Sequence, residues 1–310
     1  MLEAIYLQIA LLLLTLLWFA FSARRGGWDF FLKTLAVTVL LVGLLVGGVW
    51  VYPPYWGAGI FAFLLAAVGI WKVRQQPRPT PIWRSLLSNL SSLILLLVGG
   101  YLAVLGLTGR SQNPTGPTID LISPFDSNRS ACVLSGGLNG LLNLHNFGSD
   151  DPQDQGQVCA LDFMGFDDLG FRVRSGQRLL AKPKVLQDYL AFGMAVYAPC
   201  HGKVVYVEAD QADQTIGKKV RVKSNTIILA CSDTHVWMTH LKSGSISVKN
   251  GDRVRAGDYL AKIGNSGHTE EPHLHLHAEK MVDANNPWVH GSPVHMKINN
   301  RFLARGDCLP

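Results

Sequence analysis

The stretch His268–Lys280 reads HTEEPHLHLHAEK, and its second half alternates. His273, His275 and His277 are separated by Leu274 and Leu276, and Ala278 follows. A period of two is that of a β-strand, so the three imidazoles share one face and the apolar residues share the other. Pro272, at the head of the run, fits the start of a strand and not a helix. One histidine so placed would be read as part of a solvated strand face. Three in register, backed by apolar side chains, suit a site that holds a metal and a proton-transfer group together, and zinc takes imidazole readily.

Around this strand the chain from Asp120 to Pro310 carries strand signals throughout. They fall at Met194–Tyr197, Lys203–Glu208, Lys219–Val222, Thr226–Ala230, Val236–His240, Tyr259–Ile263 and His273–Ala278. Glycine-containing breaks separate them at Pro199–Gly202, Lys249–Asp252, Ala256–Gly257 and Gly264–Gly267. Short strands at this spacing predict an all-β, antiparallel domain of residues 120–310. The preceding stretch 109–119, GRSQNPTGPTI, is polar and turn-rich and reads as a linker.

Residues 1–108 differ in kind. Four apolar segments, 2–21, 34–51, 56–71 and 86–107, read as a bundle of four transmembrane helices. The third is short and leans on Tyr52, Tyr55 and Trp71 at the interfaces. The first carries Glu3 where a signal peptide would be basic, and further spans follow it, so a retained helix is expected.

This part holds seven basic and two acidic residues, leaving 21 of the 28 basic and 20 of the 22 acidic residues to the rest. The chain's basicity therefore belongs to the membrane part, and the β-domain has no nucleic-acid footprint. The seven basic residues lie between spans one and two (Arg24, Arg25, Lys33) or between spans three and four (Lys72, Arg74, Arg78, Arg84). Basic loops stay cytoplasmic, which puts the β-domain outside: in the periplasm of a bacterium with two membranes. No charge lies deep within a span, so the helices read as an anchor in the lipid bilayer.

Other polar positions stand out. Asn143-Leu-His145 precedes the loop GSDDPQDQGQ, and Asp162 sits in the apolar run Val158–Phe163. A carboxylate there costs several kcal/mol unless a cation compensates it; the bland alternative is a strand-end Asp accepting backbone hydrogen bonds. Val236–His240 runs into Thr239-His240-Leu241, with one more imidazole near a strand end. No HExxH helix is present, which excludes the helix-borne zinc-protease plan.

The order H…D…THL…GDRVRAGDYLAKIGNSG…PHLHLHA resembles the lysostaphin-type (LytM-like) zinc endopeptidases of bacterial cell walls, over roughly Leu144 to Lys280 and most closely from Met238 on. The segment FGMAVYAPCHGKVV, Phe192–Val205, also resembles the strand-turn-strand that follows the family's aspartate. The resemblance implies a small all-β fold with one zinc per chain at the floor of a groove, and cell-wall peptide as substrate. Carried over residue by residue, it makes His145, Asp162 and His275 the metal ligands, and His240 and His273 the two catalytic histidines that are not ligands. Two features depart from the family. Its first His and Asp are commonly spaced HxxxD, whereas His145 plus four is Ser149, followed by Asp150 and Asp151. Asp162 is preferred to these two for its strand-like apolar context. The 25 residues DDLGFRVRSGQRLLAKPKVLQDYLA, between Asp162 and Phe192, are an insertion without an assigned role.

Three protein ligands leave one position open for water, as in catalytic zinc sites. His240 and His273 would then orient the nucleophile, move its proton and stabilise the oxyanion. His277, on the same face and one pleat further along, either lines the groove, supports the site or is merely exposed, and His201, His235, His268, His290 and His295 are given no role. Three rival readings compete with it: a zinc-free LytM-like scaffold that regulates other hydrolases, a lipoyl- or biotinyl-type binding module, and a membrane sensor or transporter. The scaffold would have lost ligands that this sequence keeps. The carrier module needs a lysine at a hairpin tip, and Lys242, directly after THL, is a poor candidate.

An oxidising compartment makes disulfides the default. Cys200 at a turn and Cys231 at a strand end predict one pair; Cys132 and Cys308, near the two ends of the domain, predict another. Cys159 is left as a buried free thiol, facing away from Asp162 if both lie on one strand.

Overall fold

The computed structural model describes residues 2–51, 54–126, 130–146, 155–178, 183–217, 222–284 and 286–309. Tyr52, the loop aspartates Asp150 and Asp151, and most of the strand expected at Lys219–Val222 lie outside the described residues. The chain divides into two compact units, Met1–Thr108 and Gly109–Pro310.

The first unit holds the helices α1 (Leu2–Phe21), α2 (Gly27–Gly47) and α3 (Trp56–Val73), and α4 (Ile82–Gly109) runs through to the start of the second. All four are long and apolar enough to cross a membrane. α2 starts earlier than the apolar run that announced it and α4 extends beyond both ends of its run, so Asp29, Lys33 and Arg84 are helical. The basic residues also terminate helices. Lys72 Nζ donates to Ala20 O (3.2 Å) and Ser22 O at the end of α1, and Arg24 donates to Gln75 O (2.9 Å) beyond α3. Cations on the last carbonyls of a helix satisfy acceptors that have no intrahelical partner.

The second unit is built on short strands. In order they are β1 (Thr118–Leu121), β2 (Ser130–Ser135), β3 (Leu161–Phe166), β4 (Ala195–Tyr197), β5 (Gly202–Glu208), β6 (Thr226–Cys231) and β7 (Thr234–Thr239). Then come β8 (Arg253–Val254), β9 (Tyr259–Lys262), β10 (Leu274–Lys280), β11 (His295–Ile298), β12 (Arg301–Phe302) and β13 (Cys308–Leu309). Eight of them form one antiparallel sheet in the order β13-β2-β3-β10-β7-β6-β5-β8. One pairing departs from the antiparallel expectation: β1 and β11 are parallel, with Thr118 opposite His295. The linker therefore ends earlier than its polarity suggested, because Thr118 and Ile119 already belong to β1.

The alternation in β10 has the consequence expected of it. Leu274, Leu276 and Ala278 are fully buried in the apolar core with Phe163, Met238 and Val236 from the neighbouring strands. Val196 of β4 and Leu260 of β9 belong to the same core. Full burial of a leucine side chain contributes about 2 kcal/mol, so this face fixes the register, and a slip of one residue would turn every imidazole inward. Disulfides join Cys132 to Cys308, directly opposite on β2 and β13, and Cys200, ahead of β5, to Cys231, the last residue of β6. Cys159 is free but half-buried rather than buried, and it precedes β3 instead of lying on it. Its Sγ is 3.7 Å from His295 Nε2, so strand alternation is not what sets its direction.

Candidate metal centre

Register places the first two groups. β10 lies between β3 and β7, and His275 is directly opposite Asp162 on one side and Thr239 on the other. His275 Nδ1 is 2.9 Å from Asp162 Oδ1, and His145 Nε2 is 2.9 Å from the other oxygen, Oδ2. His145 comes from the loop after β2, and its ring meets that of His275 edge-on at 4.7 Å. One donor atom from each of His145, Asp162 and His275 lies within 4.8 Å of the other two. The structure thus brings these three sequence candidates together.

The loop bearing His145 is pinned by a residue that sequence patterning did not weigh. Asn143 is buried; its Nδ2 donates to Val158 O (3.0 Å) and Ala160 O (3.2 Å), just before β3. Its Oδ1 accepts from the His145 N–H at 3.0 Å, and Ser135 Oγ accepts from the Leu144 N–H at 2.8 Å. A polar side chain beside His145 was visible in the sequence, but its partners lie 15 and 17 residues away.

The two other candidate histidines border the cluster. The His240 and His273 rings are 4.7 Å apart, His240 is 6.0 Å from the His275 ring, and His273 Nε2 is 3.7 Å from Asp162 Oδ1. His240 directly follows β7 in the left-handed region, at φ 63°, a conformation that non-glycine residues keep only where the surroundings hold it. The motif Gly264-Asn265-Ser266-Gly267 holds it: Ser266 O is 2.8 Å from His240 Nδ1, and Ser266 Oγ donates to Leu241 O at 2.8 Å. Gly267 is needed for space as well as for its φ of +83°, since a Cβ there would overlap Ser224 Oγ. His273 is fixed similarly, its Nδ1 2.8 Å from Glu271 O.

The insertion after Asp162 meets this site from behind. Its Arg172, almost fully buried, donates from Nε to Glu271 Oε2 (2.9 Å) and from Nη2 to Oε1 (3.2 Å). The guanidinium also lies over the Tyr189 ring, from the far end of the insertion, at 5.9 Å. A bidentate pair of this kind is geometrically specific. Nothing local in the sequence links Arg172 with a glutamate 99 residues later.

His277, left open in the sequence, is buried, with its ring stacked on Trp237 at 5.2 Å. Its Nδ1 is 2.9 Å from His275 Nε2. His290, given no role, has Nδ1 3.0 Å from Glu279 Oε2. His268 lines the groove, whereas Lys242 stands over the Phe192 ring and not at a hairpin tip.

Electrostatically the site favours neutral rings at His240 and His275 and an ionised Asp162. Burial alone would raise the Asp162 carboxyl; His145 and His273 beside it, with hydrogen bonds from His145 and His275, outweigh that and hold it well below the usual range. Desolvation drives His240 well below the ordinary imidazole value, with His273 and His275 adding to the shift. His275 falls to about 3, chiefly by burial. Such a site keeps its nitrogen lone pairs available near neutral pH. It opens into a groove of about 670 Å³ whose wall carries Tyr206, Trp237 and Trp288.

Residues 187–287 match the family described as Peptidase family M23. That segment contains His240, His273 and His275 and the run GDRVRAGDYLAKIGNSG, but neither His145 nor Asp162. No curated protein sequence matches the chain. Among solved structures it is similar to lysostaphin from Staphylococcus simulans, at 23% identity over 44% of this chain and 42% of that one, TM-score 0.26. It is similar also to LytU, at 31% identity over 32% of this chain and 61% of that one, TM-score 0.24. A zinc-containing peptidase from Vibrio cholerae matches at 20% identity over 61% and 40%, TM-score 0.29. The chain spans less than half the length of the lysostaphin chain it resembles.

Proposed function

We propose that this chain is a membrane-anchored zinc endopeptidase that cuts peptide cross-links or stems of bacterial cell-wall peptidoglycan. The observation that supports it most is the meeting of His145 Nε2, His275 Nδ1 and the Asp162 carboxylate within 4.8 Å, in a groove and beside two further imidazoles. Two imidazoles and a carboxylate are donors that suit zinc, and three protein ligands leave one position open. When bound there, zinc supplies a Lewis acid that polarises the scissile carbonyl and lowers the pKa of water to about 7.

The chain's own residues supply the proton transfers. His240 donates its Nδ1–H to Ser266 O, and His273 its Nδ1–H to Glu271 O, which leaves a lone pair on each Nε2. An imidazole in that tautomer accepts the proton of the attacking water at Nε2. The imidazolium so formed then donates to the tetrahedral oxyanion or to the departing nitrogen. The open groove with its aromatic wall suits an extended peptide. Four membrane-spanning helices with basic loops on the cytoplasmic side would hold the catalytic unit on the periplasmic or extracellular face of the cytoplasmic membrane.

This reading is tested with the full chain in detergent, stripped of metal and reloaded with zinc. Purified cell walls digested with it should release peptide fragments identifiable by mass spectrometry, and the metal-free protein should release none. Protein that takes up no zinc, or zinc-loaded protein that releases no fragments, would refute it.

A further inference from the structure

We infer that His277 and Glu279 are positioning residues for His275, fixing its tautomer through a carboxylate–imidazole–imidazole relay along one face of β10. The inference rests on the proposed reading of His275 as a metal ligand. His275, His277 and Glu279 are alternate residues, all buried, on the strand face opposite Leu274, Leu276 and Ala278. His275 Nε2 is 2.9 Å from His277 Nδ1, and His277 Nε2 is 3.3 Å from Glu279 Oε1.

The proton positions follow in sequence. A ligand nitrogen must present its lone pair, so with Nδ1 of His275 facing Asp162, the ring proton belongs on Nε2. That proton is donated to His277 Nδ1, which must then be unprotonated, so the proton of His277 lies on Nε2 and points at Glu279. A carboxylate accepts and cannot reverse the chain. Glu279 is itself anchored, with His290 Nδ1 at 3.0 Å and the Gly291 N–H at 3.2 Å from Oε2.

His275 has one competing state, with the proton on Nδ1 and hydrogen-bonded to Asp162 Oδ1, and that state excludes a metal. The relay biases the ring against it. Metal-bound histidines commonly donate their second N–H directly to a carboxylate or carbonyl; here a second imidazole is interposed. Trp237 lies parallel to His277 (17° between planes, 5.2 Å) and to His290 (22°, 5.8 Å), holding both rings in place.

The test is zinc affinity of the full chain in detergent, by competition with a chromophoric chelator, with circular dichroism confirming the fold. His277→Phe keeps a ring to stack on Trp237 and loses both nitrogens; Glu279→Gln keeps the shape and loses the charge. His277→Phe should weaken zinc binding by about 10- to 100-fold, the usual cost of losing such a partner. Glu279→Gln should weaken it several-fold alone, yet add nothing in the double variant, because Glu279 acts only through His277. Wild-type affinity in folded His277→Phe, or losses that multiply in the double variant, would overturn the relay. If His277→Phe does not fold, Glu279→Gln decides alone, and unchanged affinity in it overturns the relay. Wild-type protein that binds no zinc refutes the peptidase reading instead, so the two failures are distinguishable.

Discussion

Replacing Arg172 by Met should loosen the β-rich unit at one identifiable point. Arg172 and Glu271 are both buried and joined by two hydrogen bonds, of 2.9 and 3.2 Å. Methionine fills much of the arginine's volume but leaves the Glu271 carboxylate buried without its cation. Breaking a buried pair from one side costs about 3–5 kcal/mol, which for a unit of this size lowers the melting temperature by roughly 6–20 °C. Glu271 also supplies the carbonyl that takes His273 Nδ1–H and, at 2.9 Å, the Thr269 hydroxyl proton. The disturbance therefore reaches His273 before any of the three ligand candidates.

The assay is thermal unfolding of the full chain in detergent, followed by tryptophan fluorescence, with zinc content and cell-wall digestion measured on the same samples. Arg172→Met should melt earlier, keep its zinc and digest more slowly. Adding Glu271→Leu removes the stranded charge and should recover most of the stability, since an apolar pair often replaces a buried ion pair without loss. Digestion should remain slow in that double variant if the pair aims His273, because stability alone would not restore the aim. A melting temperature within about 2 °C of wild type for Arg172→Met would refute the energetic reasoning, as that corresponds to less than about 1 kcal/mol. Full digestion by the double variant would refute the link to His273.

Three further outcomes are expected. His275→Ala should lose zinc, whereas His240→Ala should keep it and lose about 10²- to 10⁴-fold in rate, the range ascribed to a positioned acid–base group; metal analysis beside digestion separates the two. A reporter active only in the cytoplasm, fused after Pro310, should stay silent if the loops in or beside which the basic residues lie are cytoplasmic, as the positive-inside rule predicts; a signal would reverse the topology. Peptide mapping without reduction should recover Cys132–Cys308 and Cys200–Cys231 with Cys159 alkylated, and removing the Cys200–Cys231 bridge should cost about 4 kcal/mol by the loop-closure relation.

The features legible in the sequence were those carried by short-range pattern. Alternation through His273–Ala278 announced a strand buried on one side by leucines, and both faces of β10 proved to be buried. Apolar length announced four helices, although their ends were blurred: α2 starts at Gly27 and α4 at Ile82, where polar residues continue the helix past the apolar segment. The sequence leaves six strands unannounced, among them β2 and β11, which are six and four residues long. β8, β12 and β13 are two residues each, and β1 hides in a turn-rich segment because its partner β11 lies 177 positions along the chain. A strand of that length is defined by what it pairs with.

The same division runs through the site. His273, His275 and His277 share a face by alternation, but only the register with β3 puts Asp162 rather than another acid opposite His275. A resemblance in motif order could nominate His145, whereas its placement depends on Asn143 reaching Val158 and Ala160 across a loop. Arg172 lies inside an insertion to which the sequence assigns no role, and its pairing appears only once the insertion folds back to Glu271. Even His290, given no role from the sequence, meets the buried Glu279. In each case the sequence names a chemically able residue, and a contact more than ten residues away decides whether it is used. Ligands tolerate few residue types, so their identity survives as motif; the groups that aim them need only one donor or acceptor at the right point, which many residues can supply. Orientation is thus the part of this site that only the folded chain reveals, and Asn143, Glu271 and Glu279 are where mutation should disturb it.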